Sequence, residues 1–339
     1  MDTRNLIILH HSTLNSQLST SFTLPVSPST FYFSLMERPF LGIEIGGTKL
    51  QIAFGDRSGT IQERRRFDVD RAQGGAGIRR QIEALLKNLP SPPAAIGVGF
   101  GGPVDWQTGQ ICCSHQIEGW ADFPLGAWLN SLARVPVRVD NDANMAALGE
   151  ARCGAGAGFN PVFYVTLGSG VGGGLVVNGA IYHGAKPGEA ELGHIRLDRQ
   201  GAIVEARCSG WAVDAKIRQL KNTGSTSILS KLTAPEPGGE ARHLAHALKE
   251  NDPAARQILN ETAEDLAFAL SHVTHLFHPE VVVLGGGLSL LGEPWRAAVA
   301  RALPPFVMKA FGNGPQIRLA ALGEDAVPVG ALLAASQLE

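Results

Sequence analysis

Three glycine-rich segments, each following a short apolar run, constrain this chain of 339 residues more than any other feature. They are GIEIGGTK (42–49), TLGSGVGGG (166–174) and VVVLGGG (281–287). The apolar runs predict buried strands, and glycine lets the following backbone approach an anion closely. One such segment alone would indicate only a turn. Three in this order predict a nucleotide cleft, in which the first two grip a polyphosphate and the third holds the base and ribose.

The composition is that of an ordinary folded protein, with 44% hydrophobic and 18% charged residues. The net charge of −2 argues against nucleic acid and against an acidic membrane surface as partners. No apolar run approaches the roughly 20 residues that span a bilayer. The four cysteines form no C-x-x-C pair, so we expect reduced thiols and a cytoplasmic location.

Residues 1–36 differ from the rest of the chain. Asp2 and Arg4 are their only charged residues, and Ser and Thr are abundant. The segment fits neither a signal peptide nor an arginine-rich transit peptide. We expect either a disordered tail or an extension placed before a true start at Met36.

From Phe40 onward the apolar patterns predict an α/β fold with two lobes. The first lobe, residues 38–145, has three antiparallel strands followed by alternating helices and strands. The second lobe, residues 146–339, partly repeats this order and ends in a closing helix. An insertion over 183–204 has little predicted regular structure. Ligands of such folds lie in the crevice near the strand ends.

Asp142 is the best catalytic candidate, because it follows a buried strand and opens a predicted helix that faces the cleft. A carboxylate there can accept the proton of a sugar hydroxyl while that oxygen attacks phosphorus. The alternative is an ordinary helix N-cap, a position that aspartate fills well. The strand end nevertheless supplies Asp140, Asn141 and Asp142 in succession, which is more than one cap needs.

A second polar cluster lies in GEAELGHIRL (188–197). Glu191 and His194 are three residues apart with Gly193 beside them, a spacing suited to binding adjacent hydroxyls of a pyranose. The alternative is a solvated loop whose charges are incidental. Glu205 adds a further polar group just before the next predicted helix.

These segments, with GVGFGGPVD (97–105) and VDNDANMAALGE (139–150), follow the order seen in the ROK family, which the chain resembles over about residues 40–338. That family comprises bacterial sugar kinases and sugar-responsive repressors on the two-lobed, actin-like and hexokinase-like (ribonuclease H-like) ATPase fold with mixed sheets. The resemblance implies ATP-dependent phosphorylation of a primary hydroxyl on glucose, fructose or an N-acetylhexosamine. It also implies Asp142 as the general base, Mg²⁺ as cofactor, and a homodimer.

The resemblance further assigns binding roles residue by residue. The two phosphate loops would be formed by Gly46, Gly47, Thr48 and Lys49, and by Thr166, Gly168 and Gly170. The adenosine turn would be Gly285, Gly286 and Gly287. The sugar contacts would be Gly102, Gln116, Asn141, Asp142, Glu191, His194 and Glu205.

Two positions near the predicted active site depart from the family pattern. Glu44 stands where many members have aspartate, and its longer side chain can still orient Mg²⁺ through water. Gln116 stands where many members have a sugar-binding asparagine. The extra methylene of Gln116 displaces the amide and leaves the identity of the sugar open.

The largest departure follows His194. Many members bind a structural zinc there with a histidine and three cysteines, whereas this chain has only Cys208. One histidine and one cysteine cannot complete a tetrahedral site. We therefore expect no structural zinc, and a local fold that relies on packing around Ile203 and Trp211.

The opposed interpretation is a ROK regulator that senses sugar without catalysis. Regulators of the family carry a winged helix-turn-helix, and residues 1–36 are too short and too poor in charge to form one. Asp142 and both phosphate loops are intact, which favours the kinase. A kinase-like protein that has lost its activity is the third interpretation.

Overall fold

Two five-stranded sheets organise the computed structural model, which describes residues 38–339 apart from 115, 189, 223–224 and 233–237. In chain order the strands are β1 (Phe40–Ile45), β2 (Lys49–Gly55), β3 (Ile61–Asp68), β4 (Ile96–Phe100), β5 (Val104–Asp105), β6 (Gln110–Ile111), β7 (Val137–Asn141), β8 (Val162–Leu167), β9 (Val171–Val177), β10 (Ala180–Ile181), β11 (Val281–Gly285) and β12 (Gln316–Leu319). The helices are α1 (Gly74–Lys87), α2 (Leu125–Ala133), α3 (Asp142–Cys153), α4 (Val204–Cys208), α5 (Gly210–Asn222), α6 (Ile228–Leu232), α7 (Leu244–Lys249), α8 (Pro253–Phe277), α9 (Glu293–Ala302) and α10 (Ala326–Ser336).

The first sheet has the order β3-β2-β1-β4-β7, in which β1, β4 and β7 are parallel. In register, Ile45 pairs with Phe100, and Phe100 pairs with Asn141. Parallel strands end at the same edge of a sheet. The first glycine turn, Gly101 and Asp142 therefore meet at one edge.

The second sheet has the order β10-β9-β8-β11-β12, with β8, β11 and β12 parallel. The hairpin of β8 and β9 carries the second glycine turn. Thr166 of β8 pairs with Gly285 of β11, so the second and third glycine turns lie side by side. Each of the two sheets therefore carries glycine turns at the ends of its parallel strands.

Helix α3 lies between the two sheets, and residues 143–151 are all buried. It packs against β8 and β9 on one side and contacts β4 and β7 on the other. The last helix, α10, packs on α3, β1 and β4. The backbones of α3 and α10 approach so closely that a Cβ on Gly330 would overlap the carbonyl oxygen of Met145. The closing helix therefore lies against the first sheet, and the domain boundary at residue 145 stays a prediction.

The predicted strands and long helices are confirmed to within a few residues, with two differences of substance. Helix α1 begins at Gly74, whereas the apolar spacing of the sequence predicts a helix only from Ile78 to Leu89. Strand β9 begins at Val171, so only residues 168–170 form the second turn and the following glycines are strand. Gly174 faces α3, where a Cβ would lie 2.6 Å from that of Ala147. Glycine at this position therefore serves packing.

Two further expectations concern the rest of the chain. Residues 1–36, predicted to be a tail or an extension, lie outside the described residues. Across the part of the chain that is described, none of the helices is both long enough and apolar enough to cross a membrane.

Candidate active site

Asp142 is the first residue of α3, and its neighbour Asn141 is the N-cap. The Oδ1 atom of Asn141 accepts hydrogen bonds from the backbone amides of Ala143 at 2.8 Å and Asn144 at 3.3 Å. The alternative interpretation of Asp142 as the N-cap is therefore wrong. Asp142 is half-buried, with Oδ1 accepting the Ala143 amide at 2.8 Å and Oδ2 lying beside Gly101.

The Asp142 carboxyl group titrates close to neutral pH. Burial, and after it the nearby carboxylate of Glu44, raise its pKa to about 7, while hydrogen bonds from the backbone act to lower it. Glu191 adds a smaller effect in the same direction. A carboxylate with a pKa near neutrality can both accept and release a proton, as a general base requires.

Glu44 is held in place by two donors from β2. The Nζ atom of Lys49 lies 3.2 Å from Oε1 of Glu44, and Nε2 of Gln51 donates to Oε2 at 3.0 Å. Gln51 is fully buried and in turn accepts a hydrogen bond of 2.7 Å from Arg66. Burial raises the pKa of Glu44, against the opposing charge of Lys49. The β1–β2 hairpin thus presents an oriented carboxylate and an ammonium group.

A cavity of about 300 Å³ joins this end of the first sheet to the second. Glu44, Lys49 and Asp142 line one part of it, and Gly286 and Gly287 line another. Its remaining lining includes Thr166, Ser289, Leu290 and Glu324. The structure therefore brings together the first glycine turn, the candidate base and the third glycine turn.

Some glycines of these turns are required by the fold and others are not. Gly286 has a φ of +75°, and a Cβ there would lie 2.5 Å from the backbone of Leu167. By contrast, a Cβ on Gly168 would have no protein atom within 4 Å, and one on Gly287 would meet only the Leu167 oxygen at 3.9 Å. Packing does not explain glycine at Gly168 and Gly287, whereas close approach of a bound nucleotide would.

The donor set at this end of the cavity fits a magnesium ion bound with a nucleotide. Glu44 supplies carboxylate oxygens, while no three His, Cys, Asp or Glu side chains converge to hold a metal among the described residues. Mg²⁺ commonly takes one or two carboxylates, with phosphate oxygens and water completing its shell.

The predicted sugar contacts fall into separate pairs. Asn141 donates from Nδ2 to the carbonyl oxygen of Gly102 at 3.2 Å, which joins the ends of β7 and β4. Glu191 and His194 face each other at 4.0 Å, with half or more of each side chain exposed. Gly193 between them is required by packing, because a Cβ would overlap the oxygen of Val171.

Two other predicted sugar contacts lie against the glycine turns. Oε2 of Glu205 accepts the amide of Val171 at 2.9 Å and lies over Gly170. The side chain of Gln116 lies over Gly47, where a Cβ would overlap its amide. The roles of Glu205 and Gln116 in sugar binding stay predictions.

A buried pair next to the candidate base was not predicted from the sequence. His183, which follows β10, lies 2.6 Å from Oδ2 of Asp140, and its ring stacks on Trp106 at 4.1 Å. The polar strand end at Asp140 was the only available signal. Its partner lies 43 residues away in a segment without regular structure.

The region after His194 is packed, but not as predicted. Trp211 is 65% exposed, so the expectation that it anchors the local core is wrong. Val204 and Cys208 are fully buried instead, and the thiol of Cys208 donates to the Thr262 oxygen of α8 at 3.6 Å. Helix α4 is short and packs on α8, and Trp211 follows it at the start of α5, where its side chain faces solvent. The absence of zinc stays a prediction.

Comparison with known proteins identifies the family. The ROK family model matches residues 40–337. A glucokinase from Halalkalibacterium halodurans is 32% identical, over 87% of this chain and 94% of its own. A ROK family glucokinase from Streptomyces griseus, solved with glucose and AMPPNP, is 30% identical, with a TM-score of 0.76 over 88% of this chain and 99% of its own. The chain belongs to the ROK family and has its two-lobed actin-like fold.

The same comparisons include a regulator. The xylose repressor of Caldicellulosiruptor bescii is 25% identical over 62% of this chain and 55% of its own length. Family membership alone therefore covers both catalysis and sensing, whereas the glucokinase relatives, matched over nearly their whole length, support an ATP-dependent sugar kinase.

Proposed function

We propose that this chain transfers the terminal phosphoryl group of ATP to the primary hydroxyl of a hexose, with glucose as the first candidate and Asp142 as the general base. The chain is an ATP-dependent sugar kinase of the ROK family. What we propose is the identity of its sugar and the role of Asp142 as its base. One observation carries it. Asp142 does not cap its helix, is half-buried, and shares a cavity with Lys49 and the third glycine turn.

The proposed reaction needs a base that is free at neutral pH. Oδ1 of Asp142 is fixed by the Ala143 amide, while Oδ2 remains beside Gly101 at the sheet edge. That oxygen takes the proton as the sugar hydroxyl attacks phosphorus and ADP leaves. Lys49 supplies a positive charge near the phosphates, the open face of Gly168 admits their oxygens, and the open face of Gly287 lies at the turn assigned to the adenosine.

Glu44 would orient Mg²⁺ through water, held in position by Gln51. When bound, the ion would neutralise charge on the phosphates.

Sugar recognition would fall to Glu191 and His194 together with Asn141 and Gly102. The paired Glu191 and His194 present an acceptor and a donor to solvent on the side of Asp142, whose pKa Glu191 already raises. Similarity to a glucokinase over nearly its whole length supports glucose. We also expect a cytoplasmic homodimer that binds no nucleic acid, which light scattering and a DNA-binding assay would test.

The test is a coupled assay of ADP release with ATP, Mg²⁺ and glucose, fructose, mannose, N-acetylglucosamine or N-acetylmannosamine. The matched control is 6-deoxyglucose, which offers the same ring but lacks the primary hydroxyl. We expect glucose to be phosphorylated, and 6-deoxyglucose to compete with it without turnover. Binding of sugar with no ADP release under any condition would favour the regulator.

A further inference from the structure

A set of contacts, here called the clasp, joins the segment 182–188 to residues of the first half of the chain, among them Asp140 at the end of β7. His183 hydrogen-bonds Asp140 and stacks on Trp106 with the rings 15° from parallel. Lys186 pairs with Asp105 at 2.8 Å, and the carbonyl of Gly188 accepts Nδ2 of Asn144 at 2.9 Å. Asp105, Trp106 and Asp140 belong to the first half of the chain, whereas the segment comes after β10 of the second sheet.

We propose that His183 is a positioning residue for the sugar site, acting through the clasp to fix Glu191 relative to Asp142. The proposal rests on the proposed function, since it assumes that Glu191 contacts the sugar. It gives a role to the buried pair of His183 and Asp140, neither of which takes part in the proposed phosphoryl transfer.

Asp140 connects the clasp to the candidate base. Its Oδ1 accepts the amide of Asn141 and Nδ2 of Asn144, both at 2.9 Å. These bonds tie the Asp140 carboxyl group to the strand–helix turn that carries Asp142. The other oxygen, Oδ2, is hydrogen-bonded to His183. The Asp140 carboxyl group therefore contacts both the strand–helix turn and the segment 182–188.

Burial makes this pair the stronger part of the clasp. The side chains of His183 and Asp140 are only 7% and 1% exposed. When a buried carboxylate loses a hydrogen-bond partner, the free-energy cost of removing it from water is no longer offset, and the folded protein is destabilised. The pair therefore holds the segment more strongly than the exposed pair of Lys186 and Asp105 does.

The segment that leads to Glu191 has little regular structure of its own. Between the end of β10 at Ile181 and the short turn that starts at Leu192, the described residues form no helix or strand. The backbone amide of Tyr182 donates a hydrogen bond to the carbonyl oxygen of Leu175, and the clasp holds the residues from His183 to Gly188. Glu191 lies only three residues beyond Gly188, so the clasp holds one end of the short path that leads to its carboxylate.

His183 makes two contacts that substitutions can separate. His183→Gln keeps a nitrogen donor for Asp140 and removes the ring that stacks on Trp106. His183→Phe keeps the ring and removes the donor. The same two substitutions at His272, on α8 outside the cavity, provide the matched control. That residue also combines a hydrogen bond, to Phe268, with an aromatic contact.

The experiment measures kcat, both KM values, sugar affinity by calorimetry, and Tm. We expect His183→Phe to raise the KM and Kd for sugar by roughly 10- to 100-fold, as misplaced binding groups do, with the KM for ATP unchanged. His183→Gln should retain near wild-type sugar affinity, and both His272 variants should match wild type.

A double-mutant cycle with Glu191→Gln tests the route of the effect. If His183 acts through Glu191, the double variant His183→Phe, Glu191→Gln binds sugar no more weakly than Glu191→Gln alone. Additive losses would overturn that route.

Three results separate this inference from the proposed function. A wild-type kinase whose His183→Phe variant keeps normal sugar KM overturns the inference alone. If His183→Phe does not fold, His183→Leu replaces it, and failure of both to fold beside a normal His183→Gln protein reveals a purely structural pair, which also overturns it. A wild-type chain that neither binds nor phosphorylates any sugar overturns both.

Discussion

Asn141 and Asp142 are adjacent at the start of α3, yet only Asn141 caps the helix, through the amides of Ala143 and Asn144. The division of roles leaves the second oxygen of Asp142 available at the sheet edge. It also makes the two residues separable by mutation, since one affects helix stability and the other the chemistry.

The first prediction concerns Asp142→Asn. Loss of a general base lowers rates by about 10²- to 10⁴-fold, so we expect a fall of that size in kcat with ATP and sugar affinity largely kept. Steady-state kinetics and calorimetry check this, with Asp68→Asn on the exposed end of β3 as control. A folded Asp142→Asn protein with near wild-type kcat would end the assignment.

The same variant should change stability in a pH-dependent way. The folded-state pKa of Asp142 is about 7, against an ordinary value of 3.8, so folding takes up a proton between those values. Wild-type stability therefore falls as pH rises from about 4 to 7, and the full cost is present above 7. We expect Asp142→Asn to have a higher Tm than wild type at pH 8, and a much smaller difference at pH 5.

The second prediction concerns the charge beside the base. In wild type, kcat/KM should fall as pH drops below about 7, because Asp142 becomes protonated. Glu44→Gln removes a negative charge that raises this pKa, so the acid limb should move to lower pH even though overall activity also falls. Burial remains in the variant and keeps the pKa above its ordinary value. If the acid limb of the kcat/KM profile lay at the same pH in Glu44→Gln as in wild type, a group other than Asp142 would be responsible for it.

The third prediction tests the glycine turns. Gly168→Val places its side chain in open space, so the variant should fold with a near wild-type Tm, bind sugar normally and bind ATP poorly. Gly287→Val should behave likewise. Calorimetry with a non-hydrolysable ATP analogue measures this. Equal nucleotide affinity in wild type and both variants would refute the placement. Gly47→Val is less informative than its sequence position indicates, since it would also displace Gln116.

The fourth prediction concerns the sugar. Gln116→Asn shortens the side chain that lies over Gly47, so the ratio of kcat/KM between glucose and an N-acetylhexosamine should change by about 10-fold or more, the scale expected for one methylene. The KM for ATP should stay the same. Gln107→Asn, on an exposed turn, is the matched control. Unchanged ratios would place Gln116 outside the sugar site.

The fifth prediction concerns zinc. Elemental analysis of protein purified without chelator should find well under one zinc per chain, because Cys208 is buried against Thr262 rather than grouped with other ligands. Chelator treatment should leave Tm unchanged. A stoichiometric metal that dialysis does not remove would contradict the prediction.

The amino-acid sequence by itself determined the strands, the long helices and the order of the ligand-facing turns. Runs such as Ile96–Phe100 and Val162–Leu167 are largely apolar because both faces of a central strand are covered, and this local signal needs no tertiary information. The glycine turns could also be recognised locally, since a glycine after a buried strand indicates a backbone that another chain segment or a ligand approaches closely.

Only the tertiary structure decided which polar residues work together. Sequence alone could not assign the N-cap between Asn141 and Asp142, because both residue types cap helices and only backbone angles separate them. Nor could it join Asp140 to His183, or turn Trp211 toward solvent, because these depend on how distant segments pack. Burial and the charge of Glu44, which together bring the pKa of Asp142 near 7, likewise exist only after β1, β7 and α3 have met at one edge.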